Sequence, residues 1–509
     1  MNENKHWVET LSQKIIEEKK PPYLITSGMT TSGPFHLGTL CEMLFPSTIQ
    51  RYLTQQGHKT RFVFFADTLD AFDSIPTTLS KHTKELTPHL GKPLTDVPDP
   101  LSCCDSFGGH FLKEAEEIAK RFNIKPEIKK IKEVYSEGSF DKFAKLYLKN
   151  EQLSREIVFT SSLKKNPPDH WSPIMPICQN CGRIATTQVT GFDENSYTYL
   201  CDRDIGYTKG CGYSGSNKIS DHKYKITWRL HWPAWMNIYG PSSVEGAGVD
   251  HHTRGGSWDT AVAIHKGVFK SDPPIPYKFG FVLLKGRKYS KSKGIGMGVT
   301  DVLSLVPPEM IKYSLLKPDV QENKNFDPIG NNMLRLYEDY QGAASLPDKD
   351  LTRADRKRKV AFELSTEKLN FSVKFIDLLL TYQLYKDWGT AIKSLGDEPG
   401  ILYLKPFITR WLDQKYAPEE YLFEFNPQPP TENTDAVFSF INRLKEGMGP
   451  EDIHNEVFKV ATEVNLKPGA LFKSIYNTLI SKDRGPRLGK FIYTIGIEKT
   501  KQAILGLKQ

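Results

Sequence analysis

The first residues whose types and spacing suggest chemistry lie in TSGMTTSGPFHLGTL, residues 26–40. Its glycines allow a phosphate to approach the backbone, and N–H groups at a helix start attract anions. His36 can donate a hydrogen bond to phosphate oxygens that gain negative charge during an attack on phosphorus. A glycine turn with His36 as a helix cap would give the same pattern. The segment is therefore a candidate nucleotide-binding loop.

A second candidate is the basic loop KGRKYSKSKG, residues 285–294, which follows an apolar run. Lysines on a loop of serine and glycine can neutralise the charge of a departing pyrophosphate. A solvated basic loop is the alternative. The combination with a His-x-Gly loop about 250 residues earlier favours phosphate chemistry.

The elements around the first loop form a βαβ pattern. Residues 23–27 and 61–67 are apolar runs that predict strands, and residues 36–56 predict a helix kinked at Pro46. Such a unit is typical of a parallel nucleotide-binding sheet. Further elements are predicted as strands near 223 (KYKITWRL) and at 277–284, a helix at 109–123, and helices from about 331 onward, with a loop at 424–436.

Composition narrows the class of protein. The chain has 509 residues, 25% of them charged, and a net charge of +8, which weakly favours an anionic partner. Its apolar runs fall short of the roughly 20 residues that span a membrane, and the N-terminus does not resemble a secretory signal. We expect a multi-domain cytoplasmic protein without membrane partners, and a monomer.

Four of the seven cysteines lie in one short stretch. Cys178 and Cys181 form a CxxC, and Cys201 and Cys211 can complete a tetrahedral thiolate site for structural zinc. Reduced thiols in a loop-rich insertion are the alternative. Cys103 and Cys104 have no evident partners in the sequence and are predicted to be packed or exposed thiols.

Together these motifs resemble the class I lysyl-tRNA synthetases. His36, Leu37, Gly38 and Thr39 correspond to the family's HIGH-like motif, and Lys288 to Ser292 (KYSKS) to its KMSKS-like motif. The resemblance covers essentially the whole chain. Other similar segments are FADTLDAFDSIP (65–76), GKPLTDVPDP (91–100), EVYSEGSF (133–140), KITWRLHWP (225–233), VDHHTRGGSWD (249–259) and LFKSIYNTLISKDRGPRLGKFIYTIG (471–496).

The resemblance implies an α/β Rossmann-type class I synthetase catalytic domain with a cysteine-bearing insertion, followed by an all-α C-terminal anticodon-binding domain. The catalytic domain is expected in two halves around the insertion. The boundaries are 1–92 and 223–295 for the halves, 93–222 for the insertion, 296–345 for a connecting region, and 346–509 for the anticodon-binding domain.

The implied reaction is that of a lysine-tRNA ligase. L-lysine reacts with ATP, accompanied by Mg²⁺, to give lysyl adenylate and pyrophosphate, and the lysyl group then passes to the terminal ribose of tRNA(Lys). A ligase of the same fold for another amino acid or for a carrier, and a non-catalytic tRNA-binding relative, are the alternatives.

The resemblance also assigns residues to roles. The catalytic set is His36, Gly38, Lys288 and Lys291. The ATP-binding set is Ser32, Gly33, His36, Thr39, Asp250, His251, Lys288, Ser290, Lys291 and Ser292. The amino-acid-binding set is Gly28, Thr30, Trp228 and His251. Trp228 also fits a core position in an aromatic strand. The RNA-binding set is Lys482, Arg484, Arg487 and Lys490, which could equally be a solvated helix face.

Two points near the expected amino-acid pocket stay open. A lysine ammonium needs a carboxylate partner, and Asp67, Asp70 and Glu245 are all candidates. The chain also departs from the family pattern: His231 stands where an acid is expected, Trp235 and Met236 stand for Arg-Trp, and VEGAGV precedes Asp250 in place of Glu-Pro-Phe-Gly-Lys. These departures leave the specificity for lysine to be tested.

Overall fold

The computed structural model describes residues 5–163, 171–284, 287–288 and 297–507, which form two compact units. The first unit takes the described residues of Met1–Val302, Ile311–Phe326 and Pro347–Ser365. The second takes those of Leu303–Met310, Asp327–Leu346 and Thr366–Gln509. None of the helices in the described ranges is both long and apolar enough to cross a membrane.

The strands of the described residues are all in the first unit. In chain order they are β1 (Tyr23–Thr30), β2 (Thr60–Asp67), β3 (Glu127–Lys130), β4 (Ile174–Pro176), β5 (Thr187–Phe192), β6 (Ser196–Cys201), β7 (Tyr213–Lys218), β8 (Tyr224–Ile226), β9 (Val244–Gly248), β10 (Ile275–Phe279), β11 (Val282–Leu284), β12 (Arg287–Lys288) and β13 (Lys324–Asn325).

A five-stranded parallel sheet of order β10-β9-β1-β2-β3 carries the first unit. Along the chain, β2 and β3 are added on one side of β1, and β9 and β10 are added later on its other side. The order therefore reverses between β1 and β9, and ligands of open parallel sheets bind beyond the carboxyl ends of strands at such a switch point. Gly28 of β1 is required there, because an added Cβ would lie 2.5 Å from the carbonyl oxygen of Phe65.

The helices up to residue 316 are α1 (Trp7–Glu18), α2 (Leu37–Gln55), α3 (Thr83–Leu86), α4 (Phe107–Arg121), α5 (Ile131–Ser136), α6 (Asp141–Lys149), α7 (Glu151–Ser161), α8 (Trp228–Trp235), α9 (Ser257–Ile264), α10 (Val299–Leu303) and α11 (Pro308–Leu316). The later helices are α12 (Asn331–Ala344), α13 (Arg353–Ser365), α14 (Phe375–Tyr385), α15 (Trp388–Leu395), α16 (Glu398–Asp413), α17 (Thr434–Arg443), α18 (Pro450–Glu463), α19 (Pro468–Ile480), α20 (Leu488–Ile495) and α21 (Ile497–Leu505).

The predicted βαβ unit is confirmed as β1, α2 and β2, with Pro46 inside α2. The fold class is confirmed too, since a parallel sheet precedes a helical C-terminal region. The predicted helix at 109–123 corresponds to α4, and the loop at 424–436 ends at α17. The division into five segments stays a prediction, although β3, within the expected insertion, joins the main sheet.

One strand prediction was wrong, and a second was confirmed only in part. KYKITWRL gives only the three-residue β8, which pairs antiparallel with β4 outside the main sheet, and a helix begins at Trp228. The run at 277–284 divides into β10 and β11, which belong to different sheets. The division falls at Gly280, where a side chain would lie 2.2 Å from the carbonyl oxygen of Glu322.

Each unit has its own apolar core. In the first unit, one cluster joins the sheet residues Val63 and Phe65 to Trp232 and Trp235 of α8, and continues to Cys178 and Cys201. In the second unit, buried side chains of α17 to α20 form a separate cluster. The cysteine segment is thus packed on the same core that supports the switch point.

Candidate active site

A cavity of about 660 Å³ opens at the carboxyl ends of β1 and β9. This volume is typical of small-molecule sites. The residues assigned from the sequence to catalysis, ATP or the amino acid that line it are Gly28, Thr30, Ser32, His36, Gly38, Thr39, Trp228, Asp250 and His251. Gly33 is not among the lining residues.

His36 is the N-cap of α2. Its Nδ1 accepts a hydrogen bond from the backbone N–H of Thr39 at 3.1 Å. A neutral imidazole whose Nδ1 accepts carries its proton on Nε2, which makes Nε2 the donor nitrogen of this ring. The observed role of His36 as a helix cap is therefore compatible with its predicted role as a hydrogen-bond donor.

The segment that follows the basic loop returns to His36. Gly298 forms a β-bridge with His36, and the N–H of Val299 donates to the carbonyl of Phe35 at 3.1 Å. Lys288 lies in β12, whose backbone pairs with β11. Ser290, Lys291 and Ser292 lie outside the described residues, so their assignment stays a prediction.

The residues assigned to the amino acid lie close together. Gly28 and Thr30 are alternate residues of β1 and both line the cavity. Trp228 begins α8, where its indole donates to Ser257 Oγ at 3.1 Å and its ring lies 6.0 Å from that of His251. Trp228 is thus a cavity residue on a helix, although the sequence placed it in a strand.

A buried lysine connects two of the candidate acids. Lys225, whose side chain is 1% exposed, donates to Asp67 Oδ2 at 2.7 Å and to Asp70 Oδ1 at 2.9 Å. Burial raises the pKa of Asp67 to about 6 against the effect of the Lys225 ammonium. For Asp70, burial also acts upward, but the ammonium outweighs it and lowers the pKa.

Two further acids occur near the cavity, and the sequence had not identified Glu42. Glu42 lines the cavity from α2, and burial, followed by the neighbouring Glu245, raises its pKa well above the ordinary range. Glu245 is fully buried and accepts from Thr26 Oγ1 and from the indoles of Trp232 and Trp235. In the sequence, Glu42 could have been recognised as an acidic residue within the largely apolar run of α2.

Glu245 should make the stability of the first unit depend on pH. Burial raises its pKa from 4.5 to about 7. The folded chain therefore holds a proton that the unfolded chain releases, and the associated stability is complete below pH 4.5 and lost as pH rises through 7. This loss amounts to about 3 kcal/mol.

We expect Glu245→Gln to remove most of that dependence, because the amide stays neutral. Urea unfolding of the variant and the unchanged chain at pH 5 and pH 8 checks this, with Glu117→Gln on the exposed face of α4 as the control. Equal losses of unfolding free energy in all three proteins would show that Glu245 does not titrate in this range.

The four clustered cysteines are brought together as predicted. Cys178 Sγ lies 3.7 Å from Cys211 Sγ, and Cys181 Sγ lies 3.7 Å from Cys201 Sγ. A tetrahedron of metal–sulfur bonds of about 2.3 Å has edges of about 3.8 Å. All four Sγ atoms lie within 4.8 Å of one another, so the four thiols could hold a metal ion.

Cys103 and Cys104 do have partners, which corrects the prediction from sequence. Cys103 Sγ lies 3.1 Å from Cys104 Sγ and 3.1 Å from His110 Nδ1, which is 3.4 Å from Asp99 Oδ2. This cluster has no CxxC motif to mark it in the sequence, because it combines two adjacent cysteines, a loop acid and a histidine in the first turns of α4. This set of two sulfurs, one nitrogen and one oxygen is a second possible metal site.

The residues predicted to bind RNA occupy the second unit, and each has a partner there. Lys482 donates to the carbonyl of Leu422, and Arg484, Arg487 and Lys490 pair with Glu419, Glu451 and Asp377. The side chain of Arg484 is 82% exposed and that of Arg487 61%. These contacts do not test the RNA assignment, which stays a prediction.

The parallel sheet, the switch-point cavity and a capping histidine at the helix start are typical of nucleotide-binding α/β enzymes. Residues 5–368 match the family described as tRNA synthetases class I (K). The chain belongs to this family of class I aminoacyl-tRNA synthetases, and the predicted family is confirmed.

Similar proteins extend over nearly the whole chain. A lysine--tRNA ligase of Archaeoglobus fulgidus is 31% identical, with 98% of this chain and 99% of that protein covered. One of Methanosarcina barkeri is 29% identical, with coverages of 96% and 95%. One of Borreliella burgdorferi is 29% identical, with coverages of 97% and 98%.

Proposed function

We propose that this enzyme is a lysine-tRNA ligase that uses ATP, L-lysine and tRNA(Lys). The observation that carries the proposal is a single cavity lined by five of the residues expected for ATP, by the residues expected for the amino acid, and by several acids. The near-complete similarity to proteins named lysine--tRNA ligase supports the same conclusion.

In the first step, a carboxylate oxygen of lysine attacks the α-phosphorus of ATP. The bond from that phosphorus to the bridging oxygen breaks, and pyrophosphate leaves with the electron pair. His36 would donate from Nε2 to α-phosphate oxygens, while the backbone at Gly38 and the start of α2 favour the negative charge. Mg²⁺ bound to the phosphates would neutralise further charge.

In the second step, a hydroxyl of the terminal ribose of tRNA attacks the carbonyl carbon of the adenylate. AMP leaves, and the lysyl ester forms. Asp250 and His251, which line the cavity from a short turn after β9, would contact the nucleotide ribose and the amino acid. Residues 346–509 would bind the anticodon, with Lys482, Arg484, Arg487 and Lys490 contacting phosphates. We also propose that the enzyme is a monomer and is located in the cytoplasm.

ATP–pyrophosphate exchange with each of the twenty amino acids, with and without tRNA, tests the function. Exchange with lysine alone supports the proposal. Exchange with another amino acid would retain the mechanism and change the substrate. Absence of exchange for every amino acid, together with tight tRNA binding, would favour a non-catalytic RNA-binding protein.

We also propose that both cysteine clusters hold structural zinc. The chain purified with zinc should contain two ions, because each cluster offers four ligand atoms within 4.8 Å of one another. Replacing Cys103 and Cys104 with serine should reduce the content to one ion per chain in elemental analysis. An unchanged content of one ion in both proteins would show that the second cluster binds no zinc.

A further inference from the structure

The acids near the cavity differ in their access to a ligand. Glu245 is fully buried, is absent from the cavity wall, and already accepts from three side chains. Glu42 also lines the cavity, but burial and then the neighbouring Glu245 raise its pKa, which disfavours the charged form. Asp70 lines the cavity with a side chain that is 39% exposed, and it is the acid best placed to meet a substrate.

The Asp70 carboxylate is held in one orientation. Its Oδ1 accepts from Lys225 Nζ at 2.9 Å and from the N–H of Ala71 at 3.2 Å. Its Oδ2 accepts from Thr30 Oγ1 at 3.2 Å. Thr30 lies two residues from Gly28 on β1, so the carboxylate is fixed beside the strand that is expected to bind the amino acid.

The neighbouring Asp67 is shielded from solvent. It is 1% exposed, and Lys225 donates to its Oδ2. Asp67 is among the residues that line the cavity, and its buried Oδ1 receives no side-chain hydrogen bond from the described residues. Of the carboxylate oxygens of Asp67 and Asp70, only Asp67 Oδ1 thus lacks a described side-chain donor, while Asp70 Oδ2 accepts a single hydrogen bond, from Thr30.

The charges of Asp67, Asp70 and Lys225 do not cancel. Two carboxylates and one ammonium leave one negative charge beside the cavity. His231 adds no positive charge, although its Nδ1 lies 3.8 Å from Asp67 Oδ2, because burial and then the Lys225 charge lower its pKa far below 6.5. A ligand with one ammonium would neutralise this remaining negative charge, so it complements the cluster.

We propose that Asp70 receives the ε-ammonium of the lysine substrate and that Lys225 is a positioning residue, which neutralises Asp67 and orients Asp70. This inference rests on the proposed function. In the bound state two ammonium groups face two carboxylates, and the substrate supplies the second one. The site therefore selects an amino acid with a cationic side chain.

Steady-state ATP–pyrophosphate exchange with lysine and with norleucine tests the role of Asp70. Norleucine has the four carbons of the lysine side chain and lacks the ammonium. We expect Asp70→Asn to raise KM for lysine about 100-fold, as for other desolvated charge pairs, with KM for ATP unchanged. The exchange rate with norleucine should stay within about threefold, so selectivity falls.

Asp73→Asn is the matched control, because Asp73 is an exposed acid only three residues further along the chain. It should leave both substrates unaffected. An unchanged KM for lysine in folded Asp70→Asn would overturn the assignment of Asp70. If the unchanged enzyme itself does not respond to lysine, the proposed function fails instead, so the two failures are distinguishable.

Charge rescue tests Lys225. Lys225→Met should raise KM for lysine at least about tenfold, with kcat less affected, since two carboxylates then lie together without a cation. Adding Asp67→Asn restores the single negative charge, and the double variant should recover most of the lost affinity. A folded double variant no better than Lys225→Met would overturn the role of Lys225. Because the double variant removes both buried charges, we expect it to fold even if Lys225→Met does not. Its KM for lysine, compared with that of the unchanged enzyme, then tests the proposal.

Discussion

Replacing His36 with alanine should lower kcat of lysyl adenylate formation about 10²- to 10³-fold, with KM for lysine and for ATP changed by only a few-fold. Loss of one preorganised donor to a charge that develops in the transition state has this effect. The capping contact to Thr39 leaves the ring proton on Nε2, the nitrogen that can reach a phosphate oxygen. Single-turnover formation of the adenylate measures the step directly.

The same substitution removes a helix cap, which costs about 1 kcal/mol and could lower activity indirectly. His36→Asn separates the two effects, because the asparagine carbonyl can accept the Thr39 N–H but the side chain has no ring nitrogen at the position of Nε2. We expect this variant to unfold like the unchanged enzyme and to react as slowly as His36→Ala. Full activity of His36→Asn would show that His36 acts only as a cap.

The catalytic half of the site was predictable because its signals are local. The strand β1, the glycines and the capping histidine all occur within residues 23–40. The partners that complete the charge cluster are not local: Lys225 and Asp67 are 158 positions apart. Lys225 is a single lysine in the three-residue strand β8, and its burial could not be recognised from the sequence.

The error at residues 227–235 has a physical explanation. The segment WRLHWPAW combines aromatic residues of low helix propensity with an internal Pro233, which argues against a helix. Tertiary packing overrides this preference. Three tryptophans of α8 pack together and two of their indoles donate to Glu245, so the helix is stabilised by buried contacts more than by its intrinsic propensity.

Two departures from the family pattern lie one helical turn apart on α8. The family pattern predicts an acid at 231 and an arginine at 235, residues that could pair at a spacing of four. Here His231 and Trp235 are both buried, and their rings contact each other at 5.6 Å. Exchanging a charge pair for a neutral aromatic pair leaves the net charge unchanged, so the cluster of Asp67, Asp70 and Lys225 can still select a cation.

The second large effect is expected for the Cys178 cluster. Cys178→Ser should release the proposed zinc ion and destabilise the first unit by several kcal/mol, because the binding free energy of a structural zinc site contributes directly to folding. Cys178 and Cys201 belong to the apolar cluster that also contains Trp232 and Trp235. The loss should therefore reach the wall of the cavity, and KM for lysine should rise along with the loss of stability.

Elemental analysis and thermal unfolding of the same preparations check this. Cys41→Ala is the matched control, since Cys41 is another buried thiol, lies in α2, and is not part of either cluster. It should retain the full metal content. A chelator should reproduce the effect of Cys178→Ser on the unchanged enzyme and add little to the variant. If Cys178→Ser keeps its metal and its thermal transition, the four thiols do not form a zinc site, and the packing of the aromatic core alone maintains this segment.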